Sequence, residues 1–129
     1  MPKQLTVSKL IKKLDRIFSL YIRLRDSGPN GYGKCCTCGK VGHYKSMNAG
    51  HFQSRGNHGT RYMESNVHLQ CIHCNLWRDG AGPDYFRFMQ DKYGDEVIDE
   101  IRANKLGKFT AWDLEEDIKN YQKLVKEMT

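Results

Sequence analysis

Asn66-Val67-His68-Leu69-Gln70-Cys71-Ile72-His73-Cys74-Asn75 is the stretch whose reading decides the fold. Its Cys71-x-x-Cys74 pair matches an earlier one, Cys35-x-x-Cys38, followed by Gly39, with thirty-two residues between the two pairs. Each pair closes a tight turn that aims two sulfurs at one ion, and two such turns complete a tetrahedral thiolate site for zinc. Four thiolates leave no open coordination position, so this zinc is expected to be structural. Its binding supplies roughly 10–16 kcal/mol of apparent folding free energy, enough to organise a loop-rich centre. Gly39 suits the turn a cysteine knuckle needs. Cys36 is left over as a spare thiol, because Cys36 and Cys38 are separated by a single residue. No βαβ pattern surrounds either pair, which argues against a thioredoxin-like dithiol. His73, inside the second knuckle, is an alternative zinc ligand that four thiols make unnecessary.

Around this centre the chain is 129 residues long, 15.0 kDa, with net charge +6. That length predicts one domain, or one domain with helical arms. Hydrophobic residues at 39% and charged residues at 28% fit a globular chain and exclude a disordered one. No apolar run is long enough for a membrane span. Residues 1–13 are basic but lack the apolar core and cleavage site of a signal peptide. A reducing, cytoplasmic setting is the expectation, and there paired cysteines read as metal ligands before disulfides. Charge is uneven: residues 1–34 carry a net +6, residues 35–80 a net +3, and residues 81–129 a net −3. The basic excess points to a polyanion partner or to a solvated surface.

The organisation reads as α+β, in three parts. Residues 1–34 hold a basic amphipathic helix over 8–26 and a linker. Leu10, Ile11, Leu14, Ile17, Phe18, Tyr21 and Ile22 recur at helical spacing, Ser8 is the expected N-cap, and Gly28-Pro29-Asn30-Gly31 is the stop. Lys9, Lys12, Lys13, Arg16 and Arg23 cluster on the other face. Residues 35–82 form the zinc-stapled centre, with short strands expected over 40–47 and 50–54. Residues 83–129 are helical. Pro83 and Gly94 bracket one helix, a second runs over about 96–105, and Thr110 caps a third whose stripe of Leu114, Ile118, Tyr121, Val125 and Met128 is either core or a dimer seam.

His51, in Asn48-Ala49-Gly50-His51-Phe52, stands with Asn66 and Asn75 in the order and spacing of a zinc-stapled HNH nuclease. The quoted stretch resembles that family's N-x-x-x-x-C-x-x-C-[HN] segment, with Arg78 at its basic position. Cys35-x-x-Cys38-Gly39, Ala49-Gly50-His51-Phe52, Arg61-Tyr62, Asn66-Val67-His68 and Gln70-Cys71-x-x-Cys74-Asn75 are together more closely similar to the NinG/Rap family of phage recombination proteins, and the pattern also resembles phage endonuclease VII. The likeness covers residues 35–80 well and the first helix loosely; the acidic C-terminal helices match no motif. It implies a small HNH ββα-metal, treble-clef-like centre and a metal-dependent endonuclease for branched or recombination-junction DNA. It makes His51 the general base, Asn75 a ligand of a catalytic Mg²⁺ or Mn²⁺, and Asn66 a residue that bonds across the loop and holds His51.

Phosphodiester hydrolysis needs an activated water and relief of charge on the leaving oxygen, which a near-neutral histidine and a divalent cation supply. The sequence departs from the HNH pattern at Gly50, where an acidic ligand is usual. Asn48, on the same strand face as Gly50, and His68 are the substitutes. Arg55, Arg61 and Arg78 are the candidates for binding DNA phosphate. Tyr62, Trp77 and Tyr85 are candidates for stacking on an unpaired base, with helix packing the alternative for Trp77. Gly50 also motivates a second reading, a non-catalytic zinc module that binds DNA or a recombination protein. A homodimer is expected if both arms of a junction are cut.

Overall fold

The computed structural model describes residues 5–129; the basic start, residues 1–4, lies outside them. The element order is α1 (Val7–Arg25), β1 (Tyr32–Lys34), β2 (Val41–His43), β3 (Met47–His51), β4 (Val67–Cys71), α2 (Gly82–Tyr93), α3 (Asp95–Ala103) and α4 (Ala111–Met128). Three short turns punctuate it: 3₁₀ turns at Tyr44–Ser46 and Glu64–Asn66, and a π turn at His73–Trp77. The fold is α+β.

α1 begins one residue earlier than its spacing predicts. Thr6, extended, is the N-cap, and its hydroxyl accepts from the Lys9 amide at 3.2 Å, which leaves Ser8 inside the helix. Leu10, Leu14, Phe18 and Ile22 form its buried stripe. They pack with Val67 of β4 and with Leu114 and Ile118 of α4. The Thr110 hydroxyl accepts from the Asp113 amide at 3.1 Å, as the capping pattern predicts. The α4 stripe is therefore interior, spent on α1 within the same chain, and offers no dimer seam through Leu114 or Ile118. Glu64 ties the helices together from the loop, accepting from the Tyr21 and Tyr121 hydroxyls at 2.8 and 3.1 Å.

The sheets differ from the two short strands expected over 40–47 and 50–54. Residues 40–47 split between β2, a 3₁₀ turn and the first residue of β3, and β2 pairs antiparallel with β1 around the first cysteine knuckle. β3 pairs antiparallel with β4, across a long loop, in the register Asn48↔Gln70, Gly50↔His68 and His51↔Val67. Residues 52–54 are not a strand. The reason lies in β4, whose five residues are all buried. A continuous buried run needs cover on both faces. α1 covers one through Val67, and α2 the other, where the Tyr85 hydroxyl reaches the Gly50 carbonyl at 2.7 Å.

α2 has Pro83 in its first turn and stops at Gly94, whose φ of +87° is left-handed and suits glycine. Tyr85 and Met89 of α2 and Ile98 and Ile101 of α3 make a separate small core, against which Cys36 and Phe52 pack. No helix among the described residues is long and apolar enough to cross a membrane.

Candidate functional site

The cysteines form the first part of the site. Cys35 and Cys38 sit in the turn between β1 and β2; Cys71 ends β4 and Cys74 is the second residue of the π turn. Their four Sγ atoms lie within 4.8 Å of one another, and Cys38 Sγ is 3.7 Å from Cys71 Sγ. A tetrahedron with Zn–S bonds of about 2.3 Å has edges of about 3.8 Å, so the four thiols fit a zinc ion. Burial raises the Cys35 thiol, but backbone amides and the Thr37 hydroxyl outweigh it and bring it down to about 6, towards the thiolate a metal needs. The knuckle glycine, Gly39, takes φ +78° as its position predicts. Cys36 stands outside the cluster, and burial pushes its thiol far up, away from the thiolate form.

Beside this cluster lies a cleft of about 610 Å³, between α1, β3 and the π turn. β3 pairs on one side only, and residues from both its faces line the cleft: Asn48 from one, Ala49 and His51 from the other. Asn75 enters from the π turn, Arg55 and Ser54 from the loop, and Asp15 and Ser19 from α1. The sequence-predicted Asn48, His51 and Asn75 thus meet in one cavity.

His51 Nε2 lies 2.9 Å from the Arg61 carbonyl. A carbonyl only accepts, so Nε2 carries the proton and Nδ1 keeps its lone pair. Burial is the main cause that pushes the ring down to about 4, against the Arg61 carbonyl contact, which raises it. The imidazole is therefore neutral at pH 7. Asn66, fully buried, accepts from the Gln53 amide at 2.7 Å and donates to the Gln53 and Thr60 carbonyls at 3.0 Å. It ties the loop after His51 in place.

Other sequence-predicted residues stand outside the cleft lining. His68 faces away from the cleft, with Nδ1 3.1 Å from the Tyr85 hydroxyl and Nε2 2.7 Å from that of Tyr93. Tyr85 is buried and cannot stack on a base. Arg78 pairs with Asp84 and contacts Cys74 Sγ, so it serves the thiolate cluster. Arg61 spends its guanidinium on Asp15, with Nε 2.9 Å from Oδ1. Arg55 alone of the three arginines lines the cleft, with a side chain 62% exposed.

No sequence motif singles out Asp15. It accepts from Arg61 and, at 2.8 Å, from the Tyr62 hydroxyl, and so fixes the residue whose carbonyl orients His51. Burial raises its carboxyl, but these partners together hold it below the usual 3.8. The only hint in the sequence is an acid on an otherwise basic helix, directly after the buried Leu14. Asp79 is likewise outside every motif; it lines the cleft and joins no ion pair or side-chain hydrogen bond among the described residues.

Gly50 explains its own lack of a side chain. A Cβ there would collide with Gln70 Oε1, the side chain directly across the strand pair from Asn48. Gln70 Nε2 donates to the Gly80 carbonyl at 2.9 Å, and its buried Oε1 has no partner. The space an acid at position 50 would need is already filled.

A family model described as Bacteriophage Lambda NinG protein matches residues 3–129. The chain belongs to the NinG family. Curated NinG relatives are the proteins named ninG of Escherichia phage 933W and of Escherichia phage lambda. Each is 30% identical over 95 residues, covering 73% of this chain and 45% or 44% of the relative. The match thus spans less than half the length of those NinG proteins. No solved structure matches the chain. All four thiols and the whole cleft fall inside the part matched by the NinG family model.

Proposed function

We propose that the cleft hydrolyses phosphodiester bonds of DNA, with His51 as general base beside a divalent cation, Mg²⁺ or Mn²⁺, and that the substrate is branched DNA such as a recombination junction. The observation that carries this reading is His51 with a free Nδ1 in the same cavity as Asn48, Asn75, Asp79 and Arg55. The donors suit a hard cation: two amide oxygens and a carboxylate, with room for water and phosphate. Asp79 is the carboxylate not claimed by another group, since Asp15 is held by Arg61, and it stands in for the acid excluded at Gly50. Asn48, Asn75 and Asp79 would hold such a cation, which would supply Lewis-acid relief of charge on the phosphate.

The chain's own residues do the rest. Nδ1 of His51 takes the proton of the attacking water while Nε2 stays on the Arg61 carbonyl. Arg55 pairs with the phosphate. The thiolate cluster holds Asn75 one residue from Cys74, so the two walls of the cleft are set before substrate arrives.

The test is nicking of a labelled four-way junction with Mg²⁺ or Mn²⁺. His51→Ala is expected to lose roughly 10²- to 10⁴-fold in rate. Equal nicking by wild type and variant, or none by wild type, sinks the reading. The absence of a side chain at Gly50 favours the second reading, a zinc module that binds DNA without cutting it. That reading expects affinity that falls with salt and does not respond to Mg²⁺.

A further inference from the structure

Directly after Asn75, the π turn presents Leu76 and Trp77 to solvent, 62% and 81% exposed. Leu76 itself lines the cleft, and Trp77 follows it directly in the chain, just outside the lining. Neither side chain has a role in the core or in the hydrolytic reading. The turn that carries them is held at both ends. Cys74 sits in the thiolate cluster, and the Arg78 and Gly80 amides donate back to the His73 and Cys74 carbonyls at 3.0 and 2.9 Å. Asp79, Gly80 and Ala81, all at positive φ, then turn the chain away into α2. A rigid indole held out in this way loses little freedom when a flat partner covers it.

We infer that Leu76 and Trp77 form a stacking lip for an unpaired nucleobase, selecting DNA whose bases are unstacked beside the cleft over continuous duplex. This rests on the reading of the cleft as a DNA site. Charge favours a nucleic acid as the occupant. Lys12 and Arg16, both exposed, share one stripe of α1 with the cleft-lining Ser19, and Arg55 closes the same cavity. The indole is open to a base only when that base has left the helical stack, which happens at a branch or an unpaired arm. The other two aromatic candidates are committed: Tyr62 to Asp15, and Tyr85 to the buried contact with Gly50.

The test uses the full chain with its zinc and a Trp112→Phe background, which leaves Trp77 as the sole indole. A forked oligonucleotide and a fully paired duplex of the same sequence are titrated at fixed salt, without added Mg²⁺ or Mn²⁺. The fork is expected to quench Trp77 and to bind roughly ten-fold or more tighter than the duplex. Trp77→Ala should bring the two close to parity, and Trp77→Phe should keep most of the preference. Equal quenching by duplex, or a preference unchanged in Trp77→Ala, overturns the inference. So does a dimer in light scattering that Trp77→Ala dissociates, since the lip's partner would then be a second copy. If the preference holds but nothing is cut with either metal, the lip stands and the nuclease reading fails. If DNA is cut without the preference, the nuclease reading stands and the lip fails.

Discussion

His51 has one ring nitrogen committed and one free, and the commitment runs through Arg61 to Asp15 on a different element. Asp15→Asn should leave the fold intact but loosen that chain, lowering the junction-nicking rate while zinc content stays at one ion per chain. The same carboxyl gives a pH prediction. Its folded value lies below its unfolded 3.8, so its contribution to stability is present above about pH 4 and is lost as pH falls through the folded value. Between pH 5 and 2, wild type should lose more of its thermal midpoint than Asp15→Asn does. Gly50 gives a third residue-scale test. Gly50→Ala should destabilise by roughly 1–3 kcal/mol through the clash with Gln70, and Gly50→Ala with Gln70→Ala should recover part of that loss in urea unfolding.

Among the elements, α1 has two faces with different tasks. Its buried stripe closes the core with α4, and its polar side supplies one wall of the cleft through Asp15 and Ser19. Phe18 is the hinge of that packing, edge-on to Tyr62 at 5.5 Å and to Tyr121 at 5.0 Å. Phe18→Ala should cost about 3–5 kcal/mol by denaturant unfolding. Much of the element pattern is legible in the sequence: the helical stripes of α1, α2 and α4, the Thr110 cap, and the stops at Gly94 and after α1 all follow from local side-chain spacing and backbone freedom. The pairing of β3 with β4 is not. Val67-His68-Leu69-Gln70-Cys71 alternates apolar and polar, the pattern of a strand with one solvated face, yet all five residues are buried and the partner strand lies across a long loop, so neither the second cover nor the pairing is written locally.

At the scale of the whole molecule, one thiolate cluster joins the β1–β2 turn to the end of β4 and to the π turn. Chelation of zinc should therefore lower the melting temperature sharply and abolish nicking together, since Asn75 is positioned by the turn that Cys74 anchors. Calorimetry with and without a chelator, alongside the junction assay, checks both.

The sequence alone determined the four-cysteine cluster. Two C-x-x-C pairs specify a four-thiolate site wherever the chain between them runs, because ligand chemistry and turn geometry are local. It also named Asn48, His51 and Asn75, which do converge. Only the tertiary structure decided that His68 points away, that Arg61 is spent on Asp15, that Asp79 belongs to the cleft, and that Trp77 stands in solvent. Those are questions of which face of a strand or turn meets which neighbour. A one-residue change of register reverses them without altering the composition or spacing of a single motif.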